Sequence, residues 1–169
     1  DAILIETCFD ALNTKAALYA LEKINRNFPA VVSVSVNDKS GRTLTGQTLQ
    51  AFYTSVSHYP LLAFGLNCSL GADDLMPLLN EVANFSKFPV SCYPNAGLPN
   101  EMGGYDETPE QMAEAVTKMA EAGILNIIGG CCGTTPEHIA AVSAAVKGKK
   151  PHPVSGNPNE GPLIVSGLD

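Results

Sequence analysis

No basic stripe runs through this sequence: ten lysines and arginines face 17 aspartates and glutamates, for a net charge of −7. A surface of that sign repels a phosphate backbone, so nucleic acid is not an expected partner. No apolar run approaches the roughly 18 residues that a membrane span requires. No P-loop or G-x-G-x-x-G is present, and nucleotide binding has no support. No signal-peptide pattern opens the chain, and its five cysteines, an odd count, build no regular framework and no C-x-x-C. A reducing cytoplasm is the expected setting. No initiator methionine precedes "DAILIETCFD", where a strand-like run begins at the second residue. The chain therefore reads as a piece of something longer.

What is present is a globular composition, 45% hydrophobic and 16% charged over 169 residues, enough for one domain with a sizeable core. Strand patterns fall at Ile3–Glu6, Val31–Val36, Leu61–Leu66, Pro89–Tyr93 and Leu125–Ile128. Helical patterns lie between them: Ala11–Asn27, Gly46–Ser57, a third carrying Leu75, Leu78, Leu79, Val82 and Phe85 on one face, and two that open on Thr-Pro-Glu at 108 and 135. Thr108 and Gln111 have the spacing of a capping box. Pro77 is tolerable only if the third helix begins just before it. Strict alternation predicts an α/β fold with parallel strands, either doubly wound or part of a barrel. The Pro-, Gly- and Lys-rich stretch 149–169 is expected to be a linker following a domain over 1–148.

Each predicted strand runs into unusual residues at its carboxyl end: Glu6-Thr7-Cys8, Asn37-Asp38, Asn67-Cys68, Cys92-Tyr93-Pro94-Asn95 and Gly129-Gly130-Cys131-Cys132. That edge is where α/β architectures bind ligands. Adjacent cysteines are poor disulfide partners, because the small ring they close is strained. If the sheet curves, Cys68, Cys131 and Cys132 converge, with Gly129 and Gly130 letting the backbone bend to aim two successive side chains at one point. Three thiolates suit zinc with one position open. Spacing alone leaves open whether these three are ligands or small buried apolar residues, the reading preferred for Cys8 and Cys92. His58, His138 and His152 read as solvated rather than ligating. Glu6 suits an ammonium group or a strand-end ion pair.

"GLNCS" and "IIGGCCGTTPEHI" resemble the zinc motifs of homocysteine S-methyltransferase domains. "CYPNAGLPNEMGGYDETPEQMA" and "DAILIETCFD" are similar to the form found in cobalamin-dependent methionine synthases, and the closing "LIVSGLD" looks like a connection into a folate-binding module. The resemblance covers essentially the whole chain. It implies a partial (βα)8 TIM barrel, roughly strands four to eight, with Cys68, Cys131 and Cys132 as zinc ligands and Glu6 as a contact to the substrate's amino group. Asn67 and Asn95 become candidates for supporting the ligands. The implied reaction methylates homocysteine to methionine, with methylcobalamin on another module as donor. Three thiolates around a divalent ion would keep an incoming sulfur electron-rich and nucleophilic.

Betaine or S-methylmethionine as donor, and a structural zinc scaffold, are the alternatives. With three strands missing, this chain alone is expected to be inactive, and its open edges invite pairing with another copy.

Overall fold

The computed structural model describes residues 1–25 and 27–154. Strands and helices alternate throughout: β1 (Ile3–Cys8), α1 (Ala11–Ile24), β2 (Ala30–Val34), α2 (Leu49–Val56), β3 (Ala63–Gly71), α3 (Ala72–Phe85), β4 (Val90–Asn95), α4 (Pro109–Glu121), β5 (Ile127–Ile128) and α5 (Pro136–Val146). Most of the expected linker, including "LIVSGLD", lies outside the described residues.

Every strand pairing is parallel, and the order across the sheet is β1-β2-β3-β4-β5. That order decides between the two architectures left open by the pattern. A doubly wound sheet reverses direction at a switch point, whereas this sheet steps the same way at each crossover. Because such crossovers are right-handed, constant stepping places every helix on one face, as along a barrel wall. The fold is α/β, and its five βα units are consistent with part of a TIM barrel.

Period-two alternation gives the sheet two different faces. Val32, Val34, Phe64, Leu66, Val90 and Cys92 join one core with Leu18, Phe52, Leu75, Leu79, Met112 and Met119 of the helices. On the opposite face Ser33, Gly65 and Ser91 stand in register on neighbouring strands. Only glycine fits at the centre, since a Cβ on Gly65 would stand 1.8 Å from the Ser91 carbonyl oxygen.

Local signals held where they were strong. The Thr108–Gln111 box forms, Thr108 Oγ1 accepting from Gln111 N–H and Gln111 Oε1 accepting from Thr108 N–H at 2.8 Å. Pro77 departs from expectation by sitting inside α3, five residues past its first. It faces solvent, where water can serve the Asp73 carbonyl that loses its partner. β5 is shorter than its apolar run because Asn126 is diverted: its Oδ1 accepts from Val90 N–H at 2.7 Å and its Nδ2 donates to the His152 carbonyl at 2.8 Å. His152 in turn donates from its backbone N–H to Leu125 and from Nδ1 to Gly123, both at 2.9 Å. The chain is thus held against β5 through residue 152, and His152 is half-buried rather than solvated.

The β1 side is open. Ile3 and Leu4 of β1 and Leu12, Tyr19 and Ile24 of α1 are exposed, and Phe9, Leu12, Ala16 and Tyr19 line an open groove of about 700 Å³.

Candidate metal centre

Cys68 lies within β3, beyond the point where its register with β4 slips. Between the pairs Asn67–Tyr93 and Gly71–Asn95, β3 carries Cys68, Ser69 and Leu70 against Pro94 alone. By alternation Asn67 shares the inner face with Gly65, so Cys68 would otherwise point toward the helices. A left-handed backbone at Cys68 (φ 63°) and Ser69 (φ 65°) re-aims it. Non-glycine residues adopt that region at a cost, and such strain concentrates at functional sites. Ser69 is held in place by a 2.7 Å hydrogen bond between its hydroxyl and that of Ser35.

β1 is irregular at the same level, with Thr7 at φ 55° and a slip between Ile5 and Cys8. The fully buried Asn67 ties the two distortions together. Its Oδ1 accepts from Thr7 N–H at 2.9 Å and from Ser33 Oγ at 2.8 Å. Its Nδ2 donates to Thr7 Oγ1 at 2.9 Å and reaches Cys131 Sγ at 3.9 Å.

The vicinal pair is stitched to the end of β4. Cys131 N–H donates to the Pro94 carbonyl at 2.8 Å, Cys132 N–H to Asn95 Oδ1 at 3.1 Å, and Ala96 N–H to the Cys132 carbonyl at 2.9 Å. The preceding glycines act differently from expectation. Neither Gly129 nor Gly130 has a positive φ; each is needed for space, because a Cβ would stand 2.8 Å from the Tyr93 ring at 129 and 2.5 Å from Thr134 Cγ2 at 130. The left-handed turn falls at Gly133 (φ 78°), just after the pair.

These three segments bring the sulfurs together. Cys68 Sγ is 3.6 Å from Cys132 Sγ, Cys131 Sγ is 4.0 Å from Cys132 Sγ, and all three lie within 4.8 Å of one another. All five cysteines are free thiols. Three sulfurs on a tetrahedral zinc at about 2.3 Å each would stand about 3.8 Å apart, so the donor set and its spacing both fit that ion. The ionisation of the cluster is uneven. Burial, with the Cys68 contact behind it, pushes the Cys131 thiol up to about 11, while hydrogen bonding to Cys68 in the first place holds Cys132 below the usual thiol range. Cys92 is pushed up to about 12 by burial alone and Cys8 is raised chiefly by burial, as befits packed core thiols.

Glu6 stands exposed on the β1 edge. Among the described residues no hydrogen bond or ion pair engages its carboxylate, which lines a cavity of about 240 Å³ with Thr7, Asp10 and Asn13. Its electrostatic neighbours are Cys8 and Tyr93, the latter in register with Asn67.

Two features at this edge went unread in the sequence. His138, expected to be solvated, is buried. Thr135 N–H donates to its Nδ1 at 3.2 Å, so its Nε2–H donates to the Glu107 carbonyl at 2.8 Å, pinning the β4–α4 loop to α5. A histidine three residues into a Thr-Pro helix start is the signal that was available. Tyr105, on that loop, packs against Gly133 next to Cys132, where a Cβ at 133 would stand 2.4 Å from Tyr105 Cβ. His58 is exposed as expected.

Residues 1–146 match the family model for homocysteine S-methyltransferase. Among the described residues no helix is long and apolar enough to cross a membrane. With the match running through the sheet and both cysteine segments, the chain belongs to the homocysteine S-methyltransferase family, whose reaction is methyl transfer to homocysteine.

Proposed function

We propose that Cys68, Cys131 and Cys132 hold a zinc ion at which the thiol of homocysteine is methylated to give methionine. The observation that carries this reading is the convergence of three sulfurs, from segments 63 residues apart, at the ligand edge of a parallel sheet. A bound zinc would supply the positive charge that makes the thiolate the stable form of the substrate sulfur at neutral pH.

The remaining work falls to the chain's own side chains. Glu6 offers an unpaired carboxylate to the substrate's ammonium group, and the adjoining Thr7 is clamped by Asn67, which also reaches Cys131. One buried amide therefore sets the amine-binding arm and a metal ligand relative to each other. Asn95 fixes Cys132 through its backbone N–H. The methyl donor in this reading is methylcobalamin, carried with a folate-binding module on other parts of a longer, cytoplasmic enzyme. Residues 1–148 are the carboxyl-terminal part of the homocysteine barrel and 149–169 lead toward the next module. The support for these assignments is the motif resemblance.

Zinc-edge X-ray absorption on the metal-loaded chain, with and without homocysteine, tests the reading. The expected result is a sulfur count that rises by one when homocysteine is added. A shell already closed by a fourth protein ligand and unchanged by homocysteine would assign the cluster to a structural site.

A further inference from the structure

The inner face of the sheet carries an aromatic side chain at the ligand edge that the metal reading leaves without a task. Tyr93 of β4 stands in register with Asn67 of β3, the amide that clamps Thr7 and reaches Cys131. Alternation puts it on the inner face with Ser91, two residues earlier. Its ring lies over Gly129, just past β5, where a Cβ would stand 2.8 Å from Tyr93 Cδ1 and 3.2 Å from Cε1. The backbone around it is fixed: Gly129 N–H donates to the Cys92 carbonyl at 3.1 Å, and Cys131 N–H to the Pro94 carbonyl at 2.8 Å. One layer down the face is full. Ser33, Gly65 and Ser91 stand side by side there, and all of the Ser91 side chain is buried. Tyr93 thus forms the next layer toward the ligand edge, half-buried, with Glu6 close enough to act on it electrostatically.

We propose that Tyr93 determines substrate specificity at this centre: its ring is the apolar wall against which the two side-chain methylenes of homocysteine lie, between the sulfur at the cysteine cluster and the ammonium group at Glu6. The inference rests on the function proposed above and adds the group that reads the substrate's chain length. Polar groups hold the two ends of the substrate, and the carbon chain between them gains only by leaving water. An aromatic ring offers a large, rigid surface for that contact. Gly129 contributes by omission, since a side chain there would displace the ring. Cysteine, one methylene shorter, covers less of the ring, so the wall favours homocysteine.

The test follows the sulfur-to-cobalt charge-transfer band of the Co(II)-substituted full chain during titration with L-homocysteine and, separately, with L-cysteine. Tyr93→Ala is expected to bind homocysteine about 10-fold more weakly, the order of discrimination that one methylene commands in an apolar pocket, with cysteine little changed. Tyr93→Phe keeps the ring and should behave as wild type. Gly129→Ala moves the ring without removing it and should shift the homocysteine-to-cysteine ratio in the same direction as Tyr93→Ala. Cobalt affinity should stay at the wild-type level in all three variants. An unchanged ratio in Tyr93→Ala or Gly129→Ala, or a Tyr93→Phe as weak as Tyr93→Ala, would overturn the inference. Loss of cobalt from Tyr93→Ala and Gly129→Ala would overturn it too, by making the ring a brace for the cysteine pair. A wild-type chain that takes up no cobalt, or whose cobalt band ignores homocysteine, would instead overturn the function proposed above.

Discussion

The corner formed by β3, β4 and β5 and the edge formed by β1 and α1 are built from the same alternation of strand and helix, yet they end differently. At the corner Asn95, Asn67, Ser69 and the backbone of Cys131 and Cys132 all have hydrogen-bond partners. At the edge, Leu12 is 77% exposed, Tyr19 59% and Ile24 79%, on a helix whose other face is buried at Leu18. A parallel strand is stable when both its neighbours and its helices are present. β3 has them and β1 has them on one side only. The contrast sets a corner whose strand ends are tied together by hydrogen bonds against an edge whose apolar side chains face solvent.

Four changes would break or sharpen this contrast, and the largest effect is expected at the corner. Cys131→Ala should abolish stoichiometric zinc retention, read by elemental analysis after gel filtration; a variant that kept one zinc per chain and still methylated homocysteine in the intact enzyme would end the three-sulfur reading. Next comes the shared core. Phe64→Ala, at a side chain with no exposure, should cost about 3–5 kcal/mol in urea unfolding, and a loss under 1 kcal/mol would mean that the centre of the sheet is as loosely packed as its edge. Asn67→Ala should cost about 1–3 kcal/mol, because Thr7 N–H and Ser33 Oγ each lose their acceptor; zinc affinity measured in the same variant should fall as well. The smallest change in folding stability is expected at the edge. Leu12→Lys combined with Ile24→Lys should stay within about 0.5 kcal/mol of the parent while shifting a self-associated species to monomer in light scattering. Wild type already monomeric at high concentration would remove self-association from the picture.

The site was legible to different depths for different residues. Cys68, Cys131 and Cys132 could be placed at strand ends by counting apolar runs, because the sheet's polarity puts all such ends at one edge. The buried capping role of His138 was hidden, since a histidine's exposure is not written in local periodicity. Tyr105 lies 27 residues before Cys132, on a loop without periodic pattern, so only the folded loop brings its ring against Gly133, beside the cysteine pair. Gly129 and Gly130 drew attention for the right position and the wrong property: they provide room for Tyr93 and Thr134, and the unusual backbone belongs to Cys68, Ser69 and Gly133.

By itself the sequence determined the alternation of strand and helix, the helix starts at Thr108 and Thr135, and the class of residue gathered at the carboxyl ends of the strands, because these follow from local periodicity and capping chemistry. The tertiary structure alone decided that the sheet steps in one direction, that left-handed turns at Thr7, Cys68 and Ser69 are supported by a buried asparagine and a pair of serines, and that three sulfurs meet. Those outcomes depend on strand order and register, and both are fixed by contacts between segments far apart in the chain.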